Sequence, residues 1–330
     1  MTRKTKLILS AVIIACLASA GAQVQPPFAG TIFLDSDIIV DSDPTMFSGV
    51  AGAGRGTRSM FDRRVNNWVS LNAYLVNASY SDGPNIEVQV NPEFGNAAAA
   101  LAEAAKYGPV IGRLPACLRT SVKTVWIHKG TQPFGGGNNN LLIHTGQADQ
   151  YAVSGILEET LVHEATHTSL DAPYAGAPGW IAAQNADGKF ISTYARDYPS
   201  REDLAETFLV YFALRHRLER ISVSLANTIS QTIPRRIAYL DSLNLNMKPT
   251  VPFRPLKLTD FIHGGPAGSF SLTWASRPGV HYAIDISPNL VGWMNLIDDI
   301  PSQGISTTYR DSAPLPPGQA FLVVREFAEQ

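Results

Sequence analysis

Residues 163 to 167 read His163-Glu164-Ala165-Thr166-His167, two imidazoles four residues apart with a carboxylate beside the first. On a helix, positions i and i+4 differ by about 40° in angle and about 6 Å along the axis. Both rings can therefore reach one zinc ion. Glu164 projects from an adjacent direction, close enough to water at that ion to take its proton. The preceding stretch, residues 153 to 162, has no proline and carries Ile156, Leu157, Leu161 and Val162. That predicts a helix from Val153 to Ser169 with an apolar side to bury.

Zinc in a catalytic site needs a third protein ligand and leaves a fourth position to water. The metzincin extension would place Gly at 170 and His or Asp at 173, and Leu170 and Pro173 exclude it. Asp171 lies one turn after His167 and is a candidate ligand, or a partner of one. The better candidate comes from Pro199-Ser200-Arg201-Glu202-Asp203-Leu204-Ala205-Glu206-Thr207-Phe208. Ser200 followed by Asp203 reads as a helix start. Leu204, Phe208 and Leu209 give an apolar face, and Glu202 and Glu206 stack at i and i+4. Burying two glutamates is costly without a cation, and zinc would offset that cost.

His163 to His167, then Tyr194-Ala195-Arg196, then Glu202 to Phe208 resemble the catalytic domain of anthrax lethal factor and the bacterial Pro-Pro endopeptidases. The resemblance covers roughly residues 160 to 210. It implies a zincin-like fold and zinc-dependent hydrolysis of protein or peptide substrates. It implies Glu202 as the third zinc ligand and Glu206 as a carboxylate supporting the ligands. It implies Tyr194 as the phenol that stabilises the oxyanion. Tyr194 stands one residue further from Glu202 than the family spacing, and Tyr198 is the alternative phenol. Asp203 and Leu204 replace two phenylalanines of the family pattern.

The remaining sequence must supply the frame. Met60 to Leu75 is predicted helical, as is the Ala-rich run from Ala97 to Tyr107. Ile86 to Val90, Val122 to His128 and Leu141 to His144 read as strands. The last could pair with an extended substrate by β-addition, and His144 could border the cleft. Gly135-Gly136-Gly137 and the asparagines after it read as a flexible loop. The glycine-rich run Gly49 to Gly56 lacks the Gly-Lys-Ser/Thr ending of a phosphate loop. Three prolines between Met247 and Pro255 mark a boundary near residue 255. Beyond it, short strand patterns recur between turns, as expected of a small β-sandwich. Trp274, Pro278-Gly279, Tyr282, Ser287, Leu290, Trp293, Asp311 and Arg325 resemble small sandwich modules appended to secreted bacterial proteins. The expected architecture is α+β: a metallopeptidase domain over 23–255 and an all-β accessory domain over 256–330.

The chain has 330 residues, 45% of them hydrophobic, enough for a sizeable core. Lys plus Arg number 26 against 28 Asp plus Glu, so no basic excess suits nucleic acid. Arg3, Lys4 and Lys6, the apolar run Leu7 to Leu17 and the small residues at 18 to 22 read as a secretory signal over residues 1–22, cleaved after Ala20 or Ala22. Ile13-Ile14-Ala15-Cys16 also fits a lipoprotein box, with Cys16 as lipid anchor. The expected location is secreted, periplasmic or at a bacterial cell surface. No later run is long and apolar enough to span a bilayer. Signal removal leaves Cys117 as the sole thiol, read as a buried small hydrophobe. The rival to hydrolysis is a surface adhesion or carbohydrate-binding protein whose zinc site is structural or degenerate.

Overall fold

The computed structural model describes residues 25–34, 37–250, 256, 258–264, 269–276 and 280–328. The expected signal segment, its cleavage sites and Cys16 lie outside them. The chain is a mixed α+β protein that divides into two units, Met1–Pro252 and Phe253–Gln330.

The first unit is built on a six-stranded sheet in the order β1-β2-β3-β4-β6-β5. Its strands are β1 (Phe47–Asp62), β2 (Asn67–Tyr80), β3 (Ile86–Val90), β4 (Thr124–His128), β5 (Gly135–Gly137) and β6 (Asn140–His144). β3, β4 and β6 run parallel, and the other pairs are antiparallel. Val88, Val125 and Leu141 sit side by side, followed by Val90, Ile127 and Ile143, so one sheet face is continuously aliphatic.

The helix expected over Met60–Leu75 is absent; β1 and β2 form a long hairpin there instead. Asn66 adopts a left-handed conformation, φ 49°, in the turn. Trp68, Val69, Leu71 and Tyr74 are residue types that favour a pleated surface. The run Gly49 to Gly56 lies inside β1.

α1 (Ala97–Arg113) connects β3 to β4 across the aliphatic face, starting at the Asn96 side chain, which accepts from Ala99 N at 2.9 Å. It continues past the expected end at Tyr107, through Pro109, because Val110 and Ile111 are buried in the core. α2 (Ala116–Arg119) follows.

α3 (Thr145–Val153) and α4 (Leu157–Ser169) replace the single helix expected over Val153–Ser169. Gly155, at φ 68°, takes the left-handed position that ends α3, so the histidine-bearing helix begins anew at Leu157. After α5 (Pro178–Asp187) and the short α6 (Thr193–Asp197) comes α7 (Asp203–His216), buried from Asp203 to Leu214. A helix apolar on nearly all sides belongs at the centre of its domain. α8 (Val223–Thr232) and α9 (Pro234–Ser242) complete the unit.

The start of α7 is not the Ser200–Asp203 cap the sequence suggests. Asp203 is fully buried and bonds Arg236 Nη1 at 2.6 Å and Gln184 Nε2 at 2.9 Å. Arg236 also reaches Asp187 and the carbonyl of Lys189. The first turn of α7, with Glu202 just before it, is anchored by this buried ion cluster.

In the second unit, β7 (Leu258–His263), β8 (Phe270–Ala275) and β11 (Ser306–Asp311) form one antiparallel sheet. β9 (Val280–Ser287), β10 (Met294–Pro301) and β12 (Phe321–Ala328) form another. Phe270, Leu272 and Trp274 of the first share a core with Tyr282 and Ile284 of the second.

Candidate metal centre

His163 and His167 project from α4 toward Glu202 at the threshold of α7. Their Nε2 atoms are 3.2 Å apart. Glu202 Oε2 lies 3.2 Å from His167 Nε2 and 3.5 Å from His163 Nε2. Among the described residues, this is the one His/Cys/Asp/Glu group that can hold a metal ion. Separations of this size match the edges of a tetrahedron with bonds of about 2.0–2.1 Å.

The other nitrogen of each ring faces a carboxylate. His167 Nδ1 lies 2.7 Å from Asp171 Oδ2, and His163 Nδ1 lies 3.4 Å from Glu206 Oε1. Asp171 thus sits behind His167 rather than within the triad. With Nδ1 protons turned toward those carboxylates, two Nε2 lone pairs and a carboxylate oxygen converge on one point. That arrangement is repulsive unless a cation occupies its centre.

Without an ion, a proton on His167 answers the same need for positive charge. Burial works against a charged His167, yet Asp171 and Glu202 outweigh it and hold the imidazole up at about 10. Burial likewise pushes the Glu202 carboxyl up, but the two histidines overcome it and hold it far below the usual carboxylate range. Burial raises the Glu206 carboxyl, opposed by His163 and by hydrogen bonds from Ser192 Oγ, at 2.6 Å, and Ile32 N, at 2.9 Å. The segment carrying Ile32 also bridges at Phe28 to Ser192, whose hydroxyl caps α6.

The triad opens into a cleft of about 590 Å³ that also contains Glu164, Tyr194 and Asp171. Burial, with the charge of Glu202, pushes the Tyr194 phenol up to about 12. Tyr198 packs edge-on against Tyr194 at 5.2 Å but is 47% exposed and outside the cleft lining.

Arg63, Gly136, Gly137 and Arg201 also line the cleft, a role that sequence reasoning assigned to none of them. Gly135–Gly137 is not a loop but the edge strand β5, joined to β6 by Asn138 and Asn139 at φ 51° and 59°. That pair of left-handed residues makes a tight hairpin turn. Consequently β6 is an interior strand, paired on both sides over residues 140–142, with Ile143 and His144 fully buried beyond that, and is closed to substrate addition. His144 is fully buried against His128, with ring centroids 5.5 Å apart, and does not line the cleft. Cys117 lies against Met247, and burial pushes its thiol up to about 12.

No protein-family model, curated protein or solved structure matches the chain.

Proposed function

We propose that this protein is a secreted zinc-dependent peptidase with a zincin-like N-terminal domain. The observation that carries the reading is Glu164, held in the same cleft as the His163, His167 and Glu202 triangle. A purely structural ion has no use for a carboxylate so placed, which disfavours the adhesion reading.

Two nitrogens and one carboxylate oxygen, facing an open cleft, are the donor set of a catalytic zinc site. Zinc bound there would supply Lewis acidity that brings the pKa of water toward neutrality and polarises the scissile carbonyl. Asp171 and Glu206 fix the ring orientations of His167 and His163 and raise their basicity. Glu164 takes a proton from the attacking water and returns it to the leaving amine. Tyr194, with its phenol raised to about 12, keeps its proton at neutral pH and can donate to the developing oxyanion. An extended substrate would lie along the free edge of β5, which borders the cleft.

The test is Glu164→Gln in the zinc-loaded chain, assayed on casein and on a peptide library. Cleavage should fall about 10²- to 10⁴-fold while zinc stoichiometry is retained. Undiminished cleavage by that variant rejects the assignment.

A further inference from the structure

A second concavity of about 260 Å³ lies on the far side of β5 from the triad, lined by Phe61, Trp68 and Trp126. Arg63, Gly136 and Gly137 line both this pocket and the cleft. The wall between the two is therefore one strand of side-chain-free residues. An extended chain places successive side chains on opposite faces. A peptide running along the edge of β5 would present alternate side chains to the cleft and to the aromatic pocket.

The pocket is built by the tip of the β1–β2 hairpin, and that tip is fixed. Arg64 bonds Asp62 at 2.7 Å and Glu93 at 2.7 Å, and Glu93 accepts from Lys129 N at 2.8 Å. Trp68 meets Trp126 edge-on at 5.2 Å and Phe61 at 5.8 Å, yet remains 52% exposed. Leaving a tryptophan face in water forgoes apolar burial that a ligand could supply.

Arg63 differs from its neighbour. It is exposed, and no hydrogen bond or ion pair engages it among the described residues. Its Nη2 lies 2.9 Å from where a Cβ on Gly135 would stand, so the absent side chain at 135 makes room for the guanidinium. Arg201, across the cleft, is already 3.3 Å from Glu202 Oε1. Arg63 is thus the cation available to a ligand, and a guanidinium pairs best with a carboxylate.

We propose that the hairpin tip is a substrate-selecting subsite: Trp68 and Trp126 take a large apolar side chain of an extended peptide, and Arg63 takes a carboxylate beside it. This rests on the peptidase reading for the substrate's identity, but its test does not depend on turnover. The probes are decapeptide libraries carrying Leu-Glu, Leu-Gln or Ala-Glu at a fixed place and random residues elsewhere. Binding to zinc-loaded full-length Glu164→Gln is read by tryptophan fluorescence. Leu-Glu peptides should bind about tenfold tighter than Leu-Gln or Ala-Glu peptides. Adding Arg63→Gln should erase the Glu preference, and adding Trp68→Ala the Leu preference. Equal binding of the three libraries, no binding of any, or discrimination that survives both substitutions overturns the subsite. Cleavage by the unsubstituted chain reports separately: discrimination without hydrolysis removes the peptidase reading alone, and hydrolysis without discrimination removes the subsite alone.

Discussion

The backbone of Gly136 approaches the carbonyl oxygen of Glu164 so closely that a Cβ on Gly136 would overlap it. The edge strand and the histidine-bearing helix α4 are in backbone contact, tied further by Gly137 N donating to Thr168 Oγ1 at 2.8 Å. Only glycine permits this, so the spacing of strand and helix, and hence the width of the cleft, is set at one residue.

Gly136→Ala should therefore displace β5 from α4. The expected cost is about 1–3 kcal/mol of stability, with kcat/KM down at least about tenfold and zinc retained. Thermal unfolding and peptide kinetics check this. A variant with unchanged melting temperature and kinetics would contradict the close approach.

On the proposed reading the carboxylates divide into ligand and support. Glu202→Ala should abolish stoichiometric zinc, whereas Asp171→Asn should weaken zinc about 10- to 100-fold and keep the site. Zinc titration against a chelator measures both. Retained stoichiometry in Glu202→Ala, with loss in Asp171→Asn, would reverse the assignment.

The two tyrosines also separate. Tyr194→Phe should lower kcat about 10²-fold with little change in KM, and Tyr198→Phe should leave both near their original values. Steady-state kinetics on one peptide decide between them. Equal effects would mean that the phenol of Tyr194 has no special part.

His128 gives the stability a pH dependence. It is fully buried, and burial holds its imidazole at about 4, below the ordinary 6.5. Between those values the unfolded chain carries a proton that the folded chain does not, so stability rises with pH across the window and is lost as pH falls toward 4. The swing is roughly 3 kcal/mol. His128→Gln should lessen the slope of that limb, to which His216, also held at about 4 by burial, contributes in parallel, as read from urea midpoints of the metal-free chain at about pH 4.5 and about pH 7. An unchanged slope in the variant would assign the acid sensitivity elsewhere.

What the sequence discloses follows from range. His163 with His167 and Glu202 with Glu206 are local pairs whose meaning depends only on helical spacing. Joining the first pair to Glu202 is a contact between elements: spacing offered Glu202 and Glu206 together beside Asp171, and the resemblance picked Glu202. Gly135–Gly137 reads as a loop because its strand state is imposed by α4 and by the turn at Asn138–Asn139, against glycine's own preference. The hairpin at Met60–Leu75 reads as a helix because its turn is held by Glu93, 29 residues from Arg64. The anchoring of Asp203 by Arg236, 33 residues later, leaves no local trace.

Glu206 accepts from the backbone of Ile32, 174 residues earlier in the chain. During synthesis the first partner emerges long before the second, and loop closure over that distance comes late. A chain folding from its N-terminus would thus finish the surroundings of His163 only after α7 has followed. Any chemistry at the triad would wait on that closure.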